Sequence, residues 1–414
     1  MNIFENYLDK IKSIILKNIK EINAENQYDF KGVNIEVPPD EFNFDLSCNI
    51  ALILAKRIKQ NPKNLAIKIK EILLKECKDF SEIEVAGPGF INIRLDVSAL
   101  QKIIMNIYEN KKIYGSNKQS KKYNIEFVSA NPTGPMHIGH CRGAIFGDVL
   151  SNLLKFNGNK VTKEYYINDY GGQIKNFVES VFLRLREIRL KEKFKEKKDL
   201  YPGKYIIDIA NKILKQNPGI DLNNFNNIYD FLKKESLKHS MNLVKKDLKD
   251  LGIKHDIFFS ETDLIKKDSV TKTVEILKNN NFVEKNFLKP PKDEESSKNW
   301  KKTKKLIFKS TLFGDDTDRS LEKDDGSWTY FANDVAYHAD KVSRNYDYLI
   351  NILGADHTGY IKRITAAVAA LSKNKIVLKC KVCQLVKLYK NGKPFKMSKR
   401  SGDFISVNEL LNEV

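Results

Sequence analysis

An apolar run at residues 124–128, a Pro/Gly loop, a helix start at Ile138 and a further strand at 161–166 leave this chain few folds to choose from. The first run is too short for a helix and too apolar for a loop, so it reads as a buried strand. Asn131-Pro132-Thr133-Gly134-Pro135 can extend neither a strand nor a helix. From Ile138 the pattern is helical until Gly158, a residue suited to ending a helix. A strand–helix–strand unit of this kind closes as a right-handed crossover in a parallel sheet. The loop leaving its first strand then lies at the carboxyl end of the sheet, where open α/β sheets bind ligands.

The rest of the chain is organised around that unit. With 414 residues it exceeds one ordinary core, so two or three domains are expected. Residues 2–20 place Phe4, Leu8, Ile11, Ile15 and Ile19 on one helical face. A short strand at 33–37, helices around 50–58 and 65–74, and a hairpin follow. The hairpin pairs 83–85 with 90–95 across Gly87-Pro88-Gly89, and a helix begins at Ser98. These make a small α+β domain over 1–112, with a Lys-, Asn- and Ser-rich linker at 110–122. Residues 113–180 then form the first half of a Rossmann-type parallel sheet, and 181–326 a Lys-rich, largely helical insertion with an exposed loop at 285–305. The second half spans 327–405, with alternation at 328–331, strands at 348–353 and 376–388, and a turn at Asn391-Gly392. Ser406-Val407-Asn408-Glu409 is a capping box, so 406–414 should open a further helix.

Two short strings carry chemistry. His137-Ile138-Gly139-His140 puts two imidazoles on one face of a first helical turn, whose free N–H groups attract phosphate. Gly139 lets a ligand approach the backbone. Lys396-Met397-Ser398-Lys399-Arg400 offers two ammonium groups on a Gly- and Ser-flanked loop that can close as a clamp. Such donors suit the charge that builds on phosphate oxygens during in-line displacement, each worth about 3 kcal/mol in the transition state. Either string alone is compatible with accident or composition; together, in this order, they predict an enzyme that adenylates its substrate. The net charge of +19 fits a polyanionic partner, although Lys is abundant throughout, loops included. Five cysteines without framework spacing, no leader-like N-terminus and no long apolar run predict a reducing, cytoplasmic setting without a membrane segment.

Ala130-Asn131-Pro132-Thr133-Gly134-Pro135-Met136-His137-Ile138-Gly139-His140 and Lys396-Met397-Ser398-Lys399-Arg400 resemble the HIGH and KMSKS motifs of class I aminoacyl-tRNA synthetases, closest to the bacterial arginyl-tRNA synthetases. Glu126-Phe127-Val128-Ser129-Ala130-Asn131, Tyr166-Ile167-Asn168-Asp169-Tyr170-Gly171, Phe313-Gly314-Asp315-Asp316, Tyr330-Phe331-Ala332-Asn333-Asp334 and Gly354-Ala355-Asp356-His357 extend the resemblance over essentially the whole chain. It implies a class I fold preceded by an N-terminal domain that contacts the tRNA elbow. It also implies ATP, L-arginine and an arginine-specific tRNA as substrates, with Mg²⁺ carried by ATP and no metal held by the protein. His137, His140, Lys396 and Lys399 would be catalytic. Pro132, Thr133, Gly134, Gly139, Asp356, His357 and Met397 would join His137, His140 and Lys399 around ATP. Glu126, Ser129, Asn131, Tyr330 and Asp334, with His140, would bind arginine. Glu126 lies inside an apolar run, where an ionised carboxylate demands a cationic partner, either a ligand guanidinium or an internal Lys or Arg.

The family continues past the KMSKS loop into a helical anticodon-binding domain, and this sequence stops about two turns into the next helix. A separate chain supplying that domain, or a shortened synthetase that binds RNA with little activity of its own, is the competing expectation. A monomer is expected otherwise. His338, His239 and His255 read as structural, and Asn168 and Asp169 as ordering the pocket or the tRNA end. Cys380-Lys381-Val382-Cys383 has no second pair and interrupts a strand, where residues three apart face opposite sides, so it predicts no metal site.

Overall fold

The computed structural model of the chain describes residues 3–23, 29–117, 119–194, 197, 199–287, 303–384, 386, 388–390, 393–395 and 405–413. These fall into two compact units, Met1–Gln119 with Phe156–Gly158, and Ser120–Lys155 with Asn159–Val414.

In the first unit α1 (Ile3–Lys17), α2 (Ile50–Ile58), α3 (Pro62–Glu76) and α4 (Val97–Asn110) accompany a four-stranded antiparallel sheet. Its strands are β1 (Ile35–Glu36), β2 (Leu46–Cys48), β3 (Phe80–Ala86) and β4 (Phe90–Leu95), in the order β1-β2-β4-β3. The expected helical face is the one that packs: Ile11 and Ile15 are fully buried, with Phe4, Leu8 and Ile19 beside them. Asn61 stops the chain before α3 by accepting the Lys63 and Asn64 N–H groups, with Pro62 at the first helical position. The hairpin registers Val85 on Ile91 and Ile83 on Ile93, as its alternation requires. The strand expected at 33–37 shrinks to two residues.

The second unit is built on β5 (Lys122–Glu126), α5 (Ile138–Phe156), β6 (Lys160–Ile167), α6 (Gly172–Leu190), α7 (Lys204–Gln216), α8 (Phe225–Asp250), β7 (Ile257–Ser260), α9 (Glu261–Lys266) and α10 (Ser269–Asn279). It continues through β8 (Val283–Phe287), β9 (Lys304–Phe308), β10 (Arg319–Ser320), α11 (Tyr330–Ser343), β11 (Tyr348–Gly354), α12 (Ile361–Ser372), β12 (Val377–Cys383), β13 (Leu388–Lys390), β14 (Lys393–Phe395) and α13 (Val407–Glu413). Five strands form a parallel sheet in the order β12-β11-β5-β6-β7. The order reverses between β5 and β11, so a crevice opens at the carboxyl ends of those two strands. Ile125, Phe127, Tyr165 and Ile352 pack with Ala144 of α5 and Val244 of α8 in one buried cluster. Leu349 and Leu378 belong to another, with Val335 of α11 and Val368 of α12.

Three elements differ from expectation. β7, inside the segment read as a helical insertion, is the edge strand of the parallel sheet; at four residues flanked by helices its pattern is too brief to stand out. Residues 328–331 are not a strand: Trp328 makes one isolated bridge to Glu322, and Thr329 caps α11 by accepting the Ala332 N–H. β12 ends at Cys383, and 388–390 pairs instead with 393–395 in a hairpin. The Ser406 capping box forms as expected, with the Glu409 carboxylate accepting the Ser406 N–H at 2.7 Å.

Glu126 and Glu164 are lateral partners on β5 and β6. Alternation with the buried Ile125 and Phe127 turns Glu126 toward α11. There Lys341 donates to Glu126 Oε2 at 2.5 Å, and Arg344, three residues on, grips Glu164 with two hydrogen bonds of 2.7 and 2.9 Å. Burial pushes the Glu164 carboxyl upward, but Arg344 and Lys341 hold it below its ordinary range. On the other side α5 must approach β5 closely: a Cβ on Gly147 would lie 2.3 Å from the Phe127 ring. Gly147→Ala is therefore expected to destabilise the protein by about 1–3 kcal/mol, read as a shifted urea midpoint at unchanged slope. An unchanged midpoint would show that the contact yields freely.

Candidate active site

The turn leaving β5 is strained. Val128 and Ser129 adopt φ of 70° and 40°, a left-handed conformation that costs on the order of 1–3 kcal/mol each at non-glycine residues. The turn aims Ser129 Oγ to accept the Tyr166 N–H at 3.0 Å and to donate to Glu126 Oε1 at 3.3 Å. Three further elements hold the loop. Tyr165 of β6 donates its hydroxyl to the Ala130 carbonyl at 2.7 Å, and Tyr205 of α7 donates to the Thr133 carbonyl at 3.0 Å. Asp247 of α8 accepts the Met136 N–H at 2.7 Å. The Tyr205 ring covers Gly134, whose φ of 146° and missing side chain permit a contact that a Cβ would close to 2.6 Å.

The two imidazoles stack, with ring centroids 3.8 Å apart. His140 Nδ1 accepts the His137 N–H at 3.1 Å, and His137 Nδ1 accepts the Gly139 N–H at 3.2 Å. With both Nδ1 atoms accepting, each neutral ring carries its proton on Nε2, so both are set as Nε2–H donors. The chain after the late loop docks on the same stretch. Ile138 N–H donates to Ile405 O and Val407 N–H to Met136 O, and His137 bridges Ser406. Lys396, Met397 and Lys399 lie outside the described residues.

A second group of residues is a set of carboxylates gathered around Tyr166. Tyr166 is half-buried, and Glu261, Asp334, Glu126 and Asp169 all act on it electrostatically. Two of these four are satisfied by their neighbours. Glu126 has Lys341 and Ser129, and Asp169 accepts from the Ser260 hydroxyl at 2.6 Å and the Thr262 N–H at 2.8 Å. Among the described residues, the other two have no cation bonded to them. Asp334 accepts the Tyr360 hydroxyl, and burial, reinforced by Glu126, raises its carboxyl to about 6. Glu261 meets the Asn333 amide only at 3.4 Å, and burial followed by repulsion from Asp334 raises it to about 7. A desolvated pair of carboxylates on facing elements invites one planar cation.

The structure thus brings Glu126, Ser129 and Asp334 around Tyr166, and His137 against His140. Tyr330 is 77% exposed on the first turn of α11, four residues and one turn before Asp334. Asp356 and His357 stand open in the turn Ala355–Tyr360 after β11, with His357 Nε2 3.5 Å from Asp356 Oδ2. Asn131 is exposed and accepts from Asn168 at 3.4 Å. Pro132 and Thr133 lie buried in the held loop. Sequence reasoning missed Glu261 and Tyr360. Glu261 had the same signal as Glu126, a carboxylate ending an apolar run, at the close of the overlooked β7. His338 is wholly enclosed and lowered to about 3 by burial and Lys341; His255 is lowered to about 4 by burial and stacks on Phe127. Cys380 and Cys383 are free thiols, raised by burial. Among the described residues no cluster of His, Cys, Asp or Glu is placed to hold a metal, and no helix is long and apolar enough to cross a membrane.

A Rossmann-type sheet with paired imidazole donors after its central strand and a set of carboxylates around Tyr166 defines a class I aminoacyl-tRNA synthetase catalytic unit. The chain matches the family profile "tRNA synthetases class I (R), catalytic domain" over residues 103–414 and "Arginyl tRNA synthetase N terminal domain" over 9–95. It is 52% identical to an arginine–tRNA ligase of Pelagibacter ubique and 43% identical to one of Wolbachia pipientis, in each case over the whole chain and 72% of the relative. The fold is shared with Thermus thermophilus arginyl-tRNA synthetase at a TM-score of 0.66 and 18% identity, covering 99% of this chain and 69% of that one. The chain belongs to the arginyl-tRNA synthetase family.

The raised Glu261 carboxyl has a stability consequence of definite sign. Its folded value of about 7 lies above the ordinary 4.5, so folding penalises the ionised form. The penalty is absent below pH 4.5 and complete above pH 7. Glu261→Gln should therefore stabilise the ligand-free protein by about 3 kcal/mol at pH 8 and only about 1 kcal/mol at pH 5. Urea denaturation at the two pH values checks this; a gain that does not grow with pH would contradict it.

Proposed function

We propose that this chain activates L-arginine with ATP and passes it to the 3′ end of arginine-specific tRNA, using the two imidazoles and the carboxylate wall as one site. The observation that carries the reading is the Asp334–Glu261 pair, two desolvated carboxylates with raised pKa and, among the described residues, no bonded cation. A guanidinium supplies a delocalised charge and a planar set of donors that can meet both at once. Glu126 through its Oε1 edge, Ser129, Asn131, Tyr330 and His140 complete the arginine site.

ATP lies over the loop Pro132, Thr133 and Gly134 and the start of α5 at Gly139, with Asp356 and His357 on its nucleoside. Mg²⁺ enters with ATP, which suits an ion that keeps most of its waters and takes few protein ligands. The arginine carboxylate attacks the α-phosphate, forming arginyl-adenylate and releasing pyrophosphate. His137 and His140 donate from Nε2 to the phosphate oxygens, and Lys396 and Lys399, with Met397 between them, close over the departing pyrophosphate. The return of the chain at Ile405 onto Ile138 supports that placement. A hydroxyl of the terminal ribose of tRNA then attacks the adenylate carbonyl and takes the aminoacyl group, releasing AMP. No side chain becomes covalently attached, so catalysis is positioning plus charge stabilisation. The cytoplasm is the setting and a monomer the working state in this reading.

ATP–pyrophosphate exchange across the twenty amino acids, with cognate tRNA present at low salt, tests the activity. Exchange with arginine alone, reduced about 100-fold in His140→Ala, supports it. No exchange with any amino acid would instead favour a chain that binds RNA without activating an amino acid. Arginine binding alone has its own signature. It requires both carboxylates ionised, so the Kd should rise on the order of tenfold from pH 8 to pH 6 as Glu261 and then Asp334 take up protons. Calorimetric titration showing a flat profile would sink the assignment of these two residues.

A further inference from the structure

Lys341 takes no part in the chemistry above, yet it is built into the site with unusual care. It has 0% exposure, and its ammonium sits 2.5 Å from Glu126 Oε2, 3.2 Å from Asn351 Oδ1 and 4.5 Å from the centre of the Tyr337 ring. A buried ion pair is an expensive way to gain stability, because a well-packed neutral pair does as well or better. The position is fixed from behind. His338 Nδ1 lies 2.8 Å from the Asp334 carbonyl, which can only accept, so the ring proton is on Nδ1. His338 Nε2 must then accept from Asn351 Nδ2 at 2.9 Å, which turns Asn351 Oδ1 toward Lys341. The wall around the ligand contains Glu126, Asp334 and Glu261, and Lys341 also acts electrostatically on Asp334.

We infer that Lys341 is a specificity-determining residue, an internal cation that occupies the Glu126 carboxylate so that a ligand's ammonium cannot. The inference rests on the arginine reading of this pocket. A wall with three free carboxylates would hold any cationic side chain, including the compact ammonium of lysine, which needs no particular plane of approach. With Lys341 in place, Glu126 is already neutralised on one edge. What remains is the Asp334–Glu261 pair, whose two elements a point charge cannot serve together as well as a planar fork can. Lys341 thus acts by disfavouring the wrong ligand, through a carboxylate it positions rather than through the substrate itself.

The test is the ratio of lysine to arginine Kd, measured by calorimetry on the full chain at pH 8. In Lys341→Met, a side chain of similar length without charge, the ratio should fall tenfold or more as lysine pairs with the freed Glu126. In the double variant Lys341→Met with Glu126→Gln, which removes the freed charge, it should return to within about threefold of the starting protein. A purely structural role predicts that both ligands weaken together, with the ratio unchanged in both variants, and that result would overturn the inference. Should Lys341→Met fail to fold, Lys341→Gln, which can still hydrogen-bond to Glu126, is read in the same way. If the unaltered protein binds no arginine, the functional reading falls and this inference with it; arginine binding with an unmoved ratio overturns this inference alone.

Discussion

Two carboxylates side by side on neighbouring strands, Glu126 on β5 and Glu164 on β6, set the terms for the whole second unit. Each would be prohibitively costly to bury alone. Lys341 and Arg344, three residues apart on one helical face, meet them at the spacing the sheet dictates. Breaking either pair would leave a charge inside the fold at a cost of about 3–5 kcal/mol, so the register of α11 on the sheet is specified by charge as well as by packing. That register puts Asp334, near the start of the same helix, where it can face Glu261 at the end of β7.

The site inherits its geometry from this docking and spends stability to keep it. The left-handed turn at Val128 and Ser129 is tolerated because Tyr165, Tyr205 and Asp247 hold the loop from three elements. Asp334 and Glu261 are a second strain, electrostatic rather than conformational. A cationic ligand would relieve it, which is how binding energy is concentrated on one class of side chain. The segment 405–407 adds a tether. By pairing with 136–138 it fixes residues 405–407 beside the stacked imidazoles.

Local rules made much of this legible in the sequence. The first helix, the hairpin at Gly87-Pro88-Gly89, the strand–loop–helix at 124–140 and the capping box at Ser406 all follow from periodicity and turn chemistry within short windows. Glu126 within its apolar run announced a cationic partner, but whether that partner was a ligand or a side chain could not be read locally. The answer, Lys341, is 215 residues away and emerges only from the sheet order. The same limit hid Glu261. Its strand is four residues long, set among Lys-rich helices, and is recognisable as part of the sheet only once β6 is beside it. Trp328 misled for the opposite reason. Its neighbours alternate like a strand, but the hydroxyl of Thr329 bonds the Ala332 N–H and starts a helix instead.

The pattern of satisfied and unsatisfied charge is what separates scaffold from site in this chain. Glu164 has two hydrogen bonds from Arg344 and one each from Tyr337 and Asn124, and nothing is left for a ligand to offer. Asp315 is similar, gripped by Arg319 through two bonds and by Ser310, and is held well below the usual carboxylate range although burial opposes it. Asp334 and Glu261 depart in the other direction, Glu261 directly after the carboxyl end of β7. A depressed carboxylate in a closed network stabilises the fold and has no further affinity to give. A raised one without a cation weakens the fold unless something outside the chain completes it. By that criterion the arginine site proposed for this protein is marked by its raised carboxylates, and Glu126, paired internally, stands between the two groups.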